Sequence, residues 1–257
     1  MKSKMIVLCM GWLMIGLSPV KAATNYCNHV LFPIQPKAVW TYNRVAADSE
    51  SEGYTLAVQG VFTKGDKTTA STNFTSPALG NLSYPLLFEC SASNGITLVE
   101  LNNILIPLPD GSAVKLTLNE QSGTILPPIN LLQTGYSWPF ILDFKGSYTS
   151  TKGKPVAVDV RVEVTSMLSE FLDSIEVPAG EFKNVFVIQQ DVSIQMTIAR
   201  MKKPIRTLSS VRSWYLAEGV GPISAEFLNM ITDLISYSLP SVAIEQGVGR
   251  AEIGSDS

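Results

Sequence analysis

From residue 23 to about residue 240 the chain alternates apolar and polar positions with a period of two, the repeat of a β-strand. Val156, Val158, Val160, Val162 and Val164 fall on one phase, and Ala157, Asp159, Arg161, Glu163 and Thr165 on the other. Val192, Ile194, Met196 and Ile198 alternate in the same way with Asp191, Ser193, Gln195 and Thr197, and Val114, Leu116 and Leu118 with Lys115, Thr117 and Asn119. Each run predicts a strand with one dry face and one wet face, the pattern of an antiparallel sheet. Segment 166–172 also suits a helical turn, although strand is its expected state. Turn chemistry separates the runs. Lys64-Gly65-Asp66-Lys67 predicts a tight hairpin, and Asn94-Gly95 a type I′ hairpin. Pro109-Asp110-Gly111 and Ser122-Gly123 predict further reversals, and Val177-Pro178-Ala179-Gly180 a turn in which Gly180 takes positive φ and opens the next strand. The expected fold class is all-β, an antiparallel meander of about twelve strands.

Pro127-Pro128 to Gly135 reads as a junction between two sub-layers. A short echo supports the division: a proline precedes Trp40-Thr41-Tyr42, and another precedes Tyr136-Ser137-Trp138-Pro139-Phe140. The expected organisation is a signal peptide over 1–22, one β domain over 23–240 with that internal junction near 127–135, and a flexible tail over 241–257, which is rich in Gly, Ser and acids.

Residues 1–22 set the address. Lys2 and Lys4 precede an apolar run from Met5 to Leu17, Pro19 breaks it, and Val20-Lys21-Ala22 ends it in a cleavage-like tripeptide. This is the layout of a secretory signal peptide, and the run is shorter than the about 20 residues of a spanning helix. After cleavage near Ala22 the protein is expected to be periplasmic or secreted, and not integral to the membrane. Cys9 lies inside the apolar run after Val7-Leu8, where a lipid-modified cysteine would need a small residue before it.

Composition adds limits. The chain has 257 residues, 46% hydrophobic and 16% charged, enough apolar material for a core and too little charge for general disorder. Cleavage removes Lys2, Lys4 and Lys21 and no acid, which moves the formal charge from -3 to -6. That balance gives no electrostatic reason to bind nucleic acid. Cleavage also leaves Cys27 and Cys90, which in an oxidising compartment pair as a disulfide. Closing so long a loop stabilises the fold by about 4 kcal/mol.

Chemistry is sparse. His29 is the one histidine, and there is no Gly-x-Ser-x-Gly elbow, so a Ser-His-Asp triad is not expected. One histidine and an oxidised cysteine pair do not supply a zinc set. Asp48-Ser49-Glu50-Ser51-Glu52-Gly53 alternates carboxylates as calcium loops do, but lacks the centre and the distal glutamate of an EF-hand, so it reads as a solvated hairpin loop. No catalytic residue, metal site or cofactor is expected. Sheets can join distant acids, but nothing marks a carboxylate pair here, so a hydrolase is the least favoured reading.

Three segments carry a family resemblance. They are Cys27-Asn28-His29-Val30-Leu31-Phe32-Pro33 with Val39-Trp40-Thr41-Tyr42, then Val177-Pro178-Ala179-Gly180-Glu181-Phe182-Lys183-Asn184-Val185, and then Trp214-Tyr215-Leu216-Ala217-Glu218-Gly219-Val220-Gly221-Pro222-Ile223. In this order they resemble the TapB-like family of bacterial envelope proteins and related periplasmic domains of unknown function. Gln35-Pro36-Lys37-Ala38 stands where many relatives have a glycine before the first tryptophan. The resemblance implies a curved antiparallel sheet, a half-barrel or barrel-like form, and no catalytic residues. Read physically, Trp40 and Tyr42 share one strand face, as do Trp214 and Leu216, and such aromatics plug the ends of a β core.

Leu101 to Pro109 and Ile125 to Leu132 are apolar, and their prolines keep them from being ordinary central strands. They either cap the core or line the mouth of a cavity. On the second reading Leu105, Ile106, Leu108, Ile129 and Leu131 are candidate ligand-binding residues. The expected function is a non-enzymatic envelope protein whose partner is a hydrophobic small molecule or a lipidated envelope protein. The alternative is an assembly protein that offers a sheet edge or loop face.

Overall fold

The computed structural model describes residues 24–46, 51–76, 82–102, 104–107, 113–149, 153–198, 204, 206–227 and 230–240. The expected signal peptide, the expected tail, the turn at 109–111, the candidate Leu108 and acids 48–50 lie outside the described residues. Among the described residues every regular element is a strand except a 3-10 turn at Ile129–Leu131. The chain is all-β. No helix among the described residues is long and apolar enough to cross a membrane.

A short amino-terminal ribbon pairs β1 (Asn28–His29) with β2 (Phe32–Pro33). One antiparallel sheet contains the remaining strands: β3 (Val39–Ala46), β4 (Glu52–Lys64), β5 (Lys67–Ser76), β6 (Leu82–Ser91), β7 (Gly95–Leu101), β8 (Ile104–Pro107), β9 (Ala113–Gly123), β10 (Ser137–Thr149), β11 (Pro155–Val177), β12 (Gly180–Ile198), β13 (Arg206–Ala217), β14 (Gly221–Phe227) and β15 (Met230–Ser238). Their order across the sheet is β7-β6-β5-β4-β3-β15-β14-β13-β12-β11-β10-β9-β8. The exception to a plain meander is β15 against β3, which joins the two ends of the chain. The sheet curls until β7 reaches the strap that follows β9: the Ile96 N–H on β7 donates to Leu126 O at 2.8 Å, and the Ile125 N–H to Ile96 O at 2.8 Å. The result is a nearly closed barrel, which relieves a long sheet of an open edge.

The barrel interior holds the core. Val158, Val160 and Val164 of β11, Phe140 and Phe144 of β10, and Trp40 and Tyr42 of β3 are buried on the inward phase. The junction expected over 127–135 connects β9 to β10, which are neighbours in the same sheet. Segment 166–172 is strand, with the register shifting between Leu168 and Glu170. That bulge changes which phase points inward. Past it, β12 buries the odd-numbered Val185 and Val187 and then Phe182 near the hairpin tip, which folds back onto β15, where the Ala179 N–H donates to Leu234 O at 3.0 Å.

Two turns show the sequence chemistry at work. Gly180 takes φ 129 and opens β12 directly after Pro178-Ala179, as expected. Gly95 differs from expectation. Asn94 is not in the left-handed region that a type I′ turn requires, and Gly95 alone has positive φ, at 70, paired with Ser91 across a three-residue loop. That is the bulged three-residue hairpin. A Cβ on Gly95 would run into the carbonyl oxygen of Leu126, so glycine here also lets β7 approach the strap that closes the barrel.

Candidate functional site

One end of the barrel is plugged by residues 24–38. Cys27 and Cys90 form the disulfide, with their Cα atoms 5.1 Å apart, tying the plug to β6. Leu31, Phe32 and Ile34 are buried beneath it. His29 is buried too: Nε2 donates to Pro127 O at 3.0 Å while Nδ1 accepts the Leu31 N–H at 3.1 Å. One nitrogen donates and the other accepts, so the ring is neutral, and burial pushes its pKa below 6.5. This histidine is structural glue.

The first and third resemblance motifs meet at the plug. Trp40 Nε1–H donates to Val220 O at 2.7 Å, and the Tyr42 hydroxyl donates to Pro222 O at 2.9 Å. The Gly219 N–H donates to Val30 O at 2.7 Å. Gly221, at φ 109, leaves room for Phe32 and the Trp40 indole, each within 3.5 Å of where a Cβ would stand. A Trp-x-Tyr start and a Gly-Val-Gly reversal some 180 residues later thus seal one barrel end.

Within the barrel lies a cavity of about 560 Å³ that opens to solvent on one side, within the about 300–1,000 Å³ typical of small-molecule sites. Its walls are the inward residues of β10 to β15 with β3 and β4, chiefly Phe140, Leu142, Val162, Val164, Val192 and Ile194. A polar row crosses this apolar surface. Ser166 on β11 pairs in register with Gln190 on β12, and Gln190 with Arg212 on β13. Register places their side chains on one line, and they bond along it: Arg212 Nε donates to Gln190 Oε1 at 2.7 Å, and Gln190 Nε2 to Ser166 Oγ at 2.9 Å. The Arg212 guanidinium also stacks over Trp214, 4.5 Å from the ring centroid. Burial lowers its pKa to about 10, so it stays charged at neutral pH. Arg44 reaches the cavity from β3, over the Tyr54 ring at 5.7 Å. Burial raises the Tyr54 phenol to about 12, with both arginines pulling the other way, so Tyr54 is a neutral donor beside two cations.

A second compartment of about 220 Å³ adjoins the first and shares Tyr54, Ile125, Trp214, Ala225 and Thr232 with it. Its remaining walls are mostly aromatic and aliphatic, including Phe32, Leu56, Phe74, Leu86, Phe88 and Leu126.

Of the residues singled out from sequence, Leu105, Ile129 and Leu131 sit outside both compartments. Leu105 is exposed on the edge strand β8, and Ile129 and Leu131 are exposed on the 3-10 turn. Leu131 borders a groove with Pro127, Pro128 and Tyr136 on the barrel exterior. Ile106 lies on β8. Within segment 125–132, Ile125 and Leu126 line the smaller compartment. Arg212, Gln190, Ser166 and Arg44 were missed, although a signal existed. Each is polar on the phase that is otherwise apolar: Arg212 with Trp214 and Leu216, Gln190 with Val192 and Ile194, Ser166 with Val164, and Arg44 with Trp40 and Tyr42. Among the described residues no group of three or more His, Cys, Asp and Glu could hold a metal ion.

No known family model matches the chain, and no curated protein matches it in sequence. Among solved structures it is similar to a Bacteroides fragilis protein described as exported and of YmcC-like fold, with a TM-score of 0.50 and 13% identity over 82% of this chain and 100% of that one. The likeness is one of fold. A Parabacteroides distasonis protein described as a lipoprotein gives a TM-score of 0.49 and 13% identity over 82% and 99% of the two chains.

Proposed function

We propose that this is a non-enzymatic protein of the bacterial cell envelope that holds a hydrophobic ligand inside its barrel. The observation that carries the reading is the interior cavity of about 560 Å³, walled by apolar side chains and continued by a smaller aromatic compartment. Proteins rarely leave such space inside an otherwise close-packed core without use. The address rests on residues 1–22, which have the layout of a cleaved export signal, and on a fold shared with a protein described as exported. The three motifs that resemble the TapB-like family point to the same compartment. The ligand is either a free small molecule or the lipid chain of a partner protein.

The test is native mass spectrometry of the purified protein with lipid extraction, joined to titration with an apolar fluorophore. A co-purifying ligand, or saturable fluorophore binding displaced by aliphatic chains, is the expected result. Absence of both would sink the reading and favour an assembly protein, for which in-cell cross-linking to one reproducible partner is the corresponding measurement.

A further inference from the structure

Two guanidinium groups line the larger cavity, and no Asp or Glu does. Removing a cation from water is costly unless an anion or full hydrogen bonding replaces the solvent. Arg44 has a partial answer in Glu52, 3.9 Å away, where both side chains reach solvent. Arg212 has none. A guanidinium carries five N–H donors in a planar fork. Nε of Arg212 is used by Gln190, and one face of the plane by Trp214. Nη1 and Nη2 have no protein acceptor among the described residues, and Arg212 pairs with no carboxylate there. The Gln190–Ser166 bond and the Trp214 ring hold the group in place, so the fork is preorganised with its two terminal nitrogens unclaimed.

The chemistry of the two compartments differs. The larger one carries Arg212, Arg44 and Tyr54, whose phenol oxygen accepts from Thr232 and leaves its own O–H free to donate, beside apolar walls. The smaller one is walled by Phe32, Leu56, Phe74, Leu86 and Phe88, and no charged side chain lines it. We propose that the barrel binds an amphiphile with one anionic head group, a carboxylate or a phosphate, gripped by the terminal nitrogens of Arg212 with Tyr54 and Arg44 facing it, and with its alkyl tail in the aromatic compartment. Two terminal nitrogens of an arginine match two oxygens of such a head group. This inference rests on the interior being the ligand site.

The test compares four probes of equal chain length: tetradecanoate, monotetradecyl phosphate, tetradecanol and tetradecyltrimethylammonium. Each displaces an apolar fluorophore from the wild-type protein at low salt. At least one anionic probe should bind about tenfold to a hundredfold tighter than the alcohol, the range of a charge-assisted hydrogen bond, and the ammonium weakest of the four. Whichever of carboxylate and phosphate binds tighter identifies the head. Arg212→Met should bring the anions down to the level of the alcohol while alcohol binding persists, and Arg212→Lys, which keeps charge and loses the fork, should fall between. Equal binding of anion, alcohol and ammonium by the wild-type protein overturns the inference and leaves the hydrophobic-ligand reading standing. Failure of every probe, alcohol included, overturns both. The wild-type comparison needs no variant, so it decides between these outcomes even where Arg212→Met fails to fold.

Discussion

The disulfide gives a quantitative handle on how the plug is held. Replacing both cysteines with alanine removes a cross-link between residues 63 positions apart. In the chain-entropy account, closing a loop of that length takes about 4 kcal/mol of freedom from the unfolded state. The folded state should keep its shape. Leu31, Phe32 and Ile34 remain buried, His29 still bonds Pro127, Gly219 still bonds Val30, and the Tyr26 N–H still donates to Thr68 Oγ1 at 3.0 Å. The loss therefore acts through the unfolded state, and each kcal/mol moves the melting temperature of a domain this size by roughly 2–4 °C, so Tm should drop by roughly 8–16 °C. The assay is thermal unfolding followed by circular dichroism, with thiol labelling of the denatured, unreduced wild-type protein as control. A double variant that melts within about 2 °C of wild type would refute the entropic argument, since a shift that small is under about 1 kcal/mol. Labelling of Cys27 or Cys90 in the unreduced protein would refute the bond itself.

Other positions in the barrel can be tested in the same way. His29 is buried and neutral, with its folded pKa below the 6.5 of the unfolded chain. Below pH 6.5 the unfolded state binds the extra proton first, so stability should fall as pH drops, by up to about 1.4 kcal/mol per pH unit until the folded pKa is reached. Urea unfolding at a series of pH values should show His29→Gln losing that slope, and an identical slope in the variant would refute the assignment. Gly95→Ala should cost roughly 2 kcal/mol or more, because left-handed φ and a collision with Leu126 O add together. Gly65→Ala, at similar φ with open space around it, should cost about 1–2 kcal/mol. Equal losses in denaturant titrations would refute the close approach at the barrel seam. Ala225 borders both compartments, so Ala225→Phe should abolish binding of an apolar fluorophore while leaving the circular dichroism spectrum unchanged. Undiminished binding would place the ligand elsewhere.

The order of polar and apolar residues determined a great deal by itself. Period-two alternation is a local property of the chain, and a strand with one dry face follows from it directly. The Val158–Val164 series of β11 and the Val192–Ile194 series of β12 turn their apolar phase inward just as their spacing requires. Gly180 could be placed because a turn is decided by a few adjacent residues. The cysteine pair was legible because the export signal expected over residues 1–22 would leave Cys27 and Cys90 as the two cysteines of the processed chain. Where local signals competed with tertiary ones, sequence reading stopped short. Asn94-Gly95 matches a two-residue hairpin, but the approach of Leu126 and the strap at the barrel seam sets a three-residue loop with a bulge. The proline-rich apolar segments pointed to Leu105, Ile129 and Leu131, yet those side chains face outward, because the curl of the sheet gives the inward positions to Ile125 and Leu126.

Alternation marks Ser166, Gln190 and Arg212 as polar positions on apolar phases, but only tertiary structure assembles them into a site. Ser166, Gln190 and Arg212 lie on three strands and become one hydrogen-bonded row through register, which the bulge between Leu168 and Glu170 helps to set. Tyr54 meets Arg212 because β3 pairs with β15 and rolls the two ends of the chain into one barrel. Sequence spacing carries no record of which strands become neighbours across so large a separation. Alternation fixes which residues point inward, whereas sheet order and curvature fix which of them meet, and a binding site depends on the meeting.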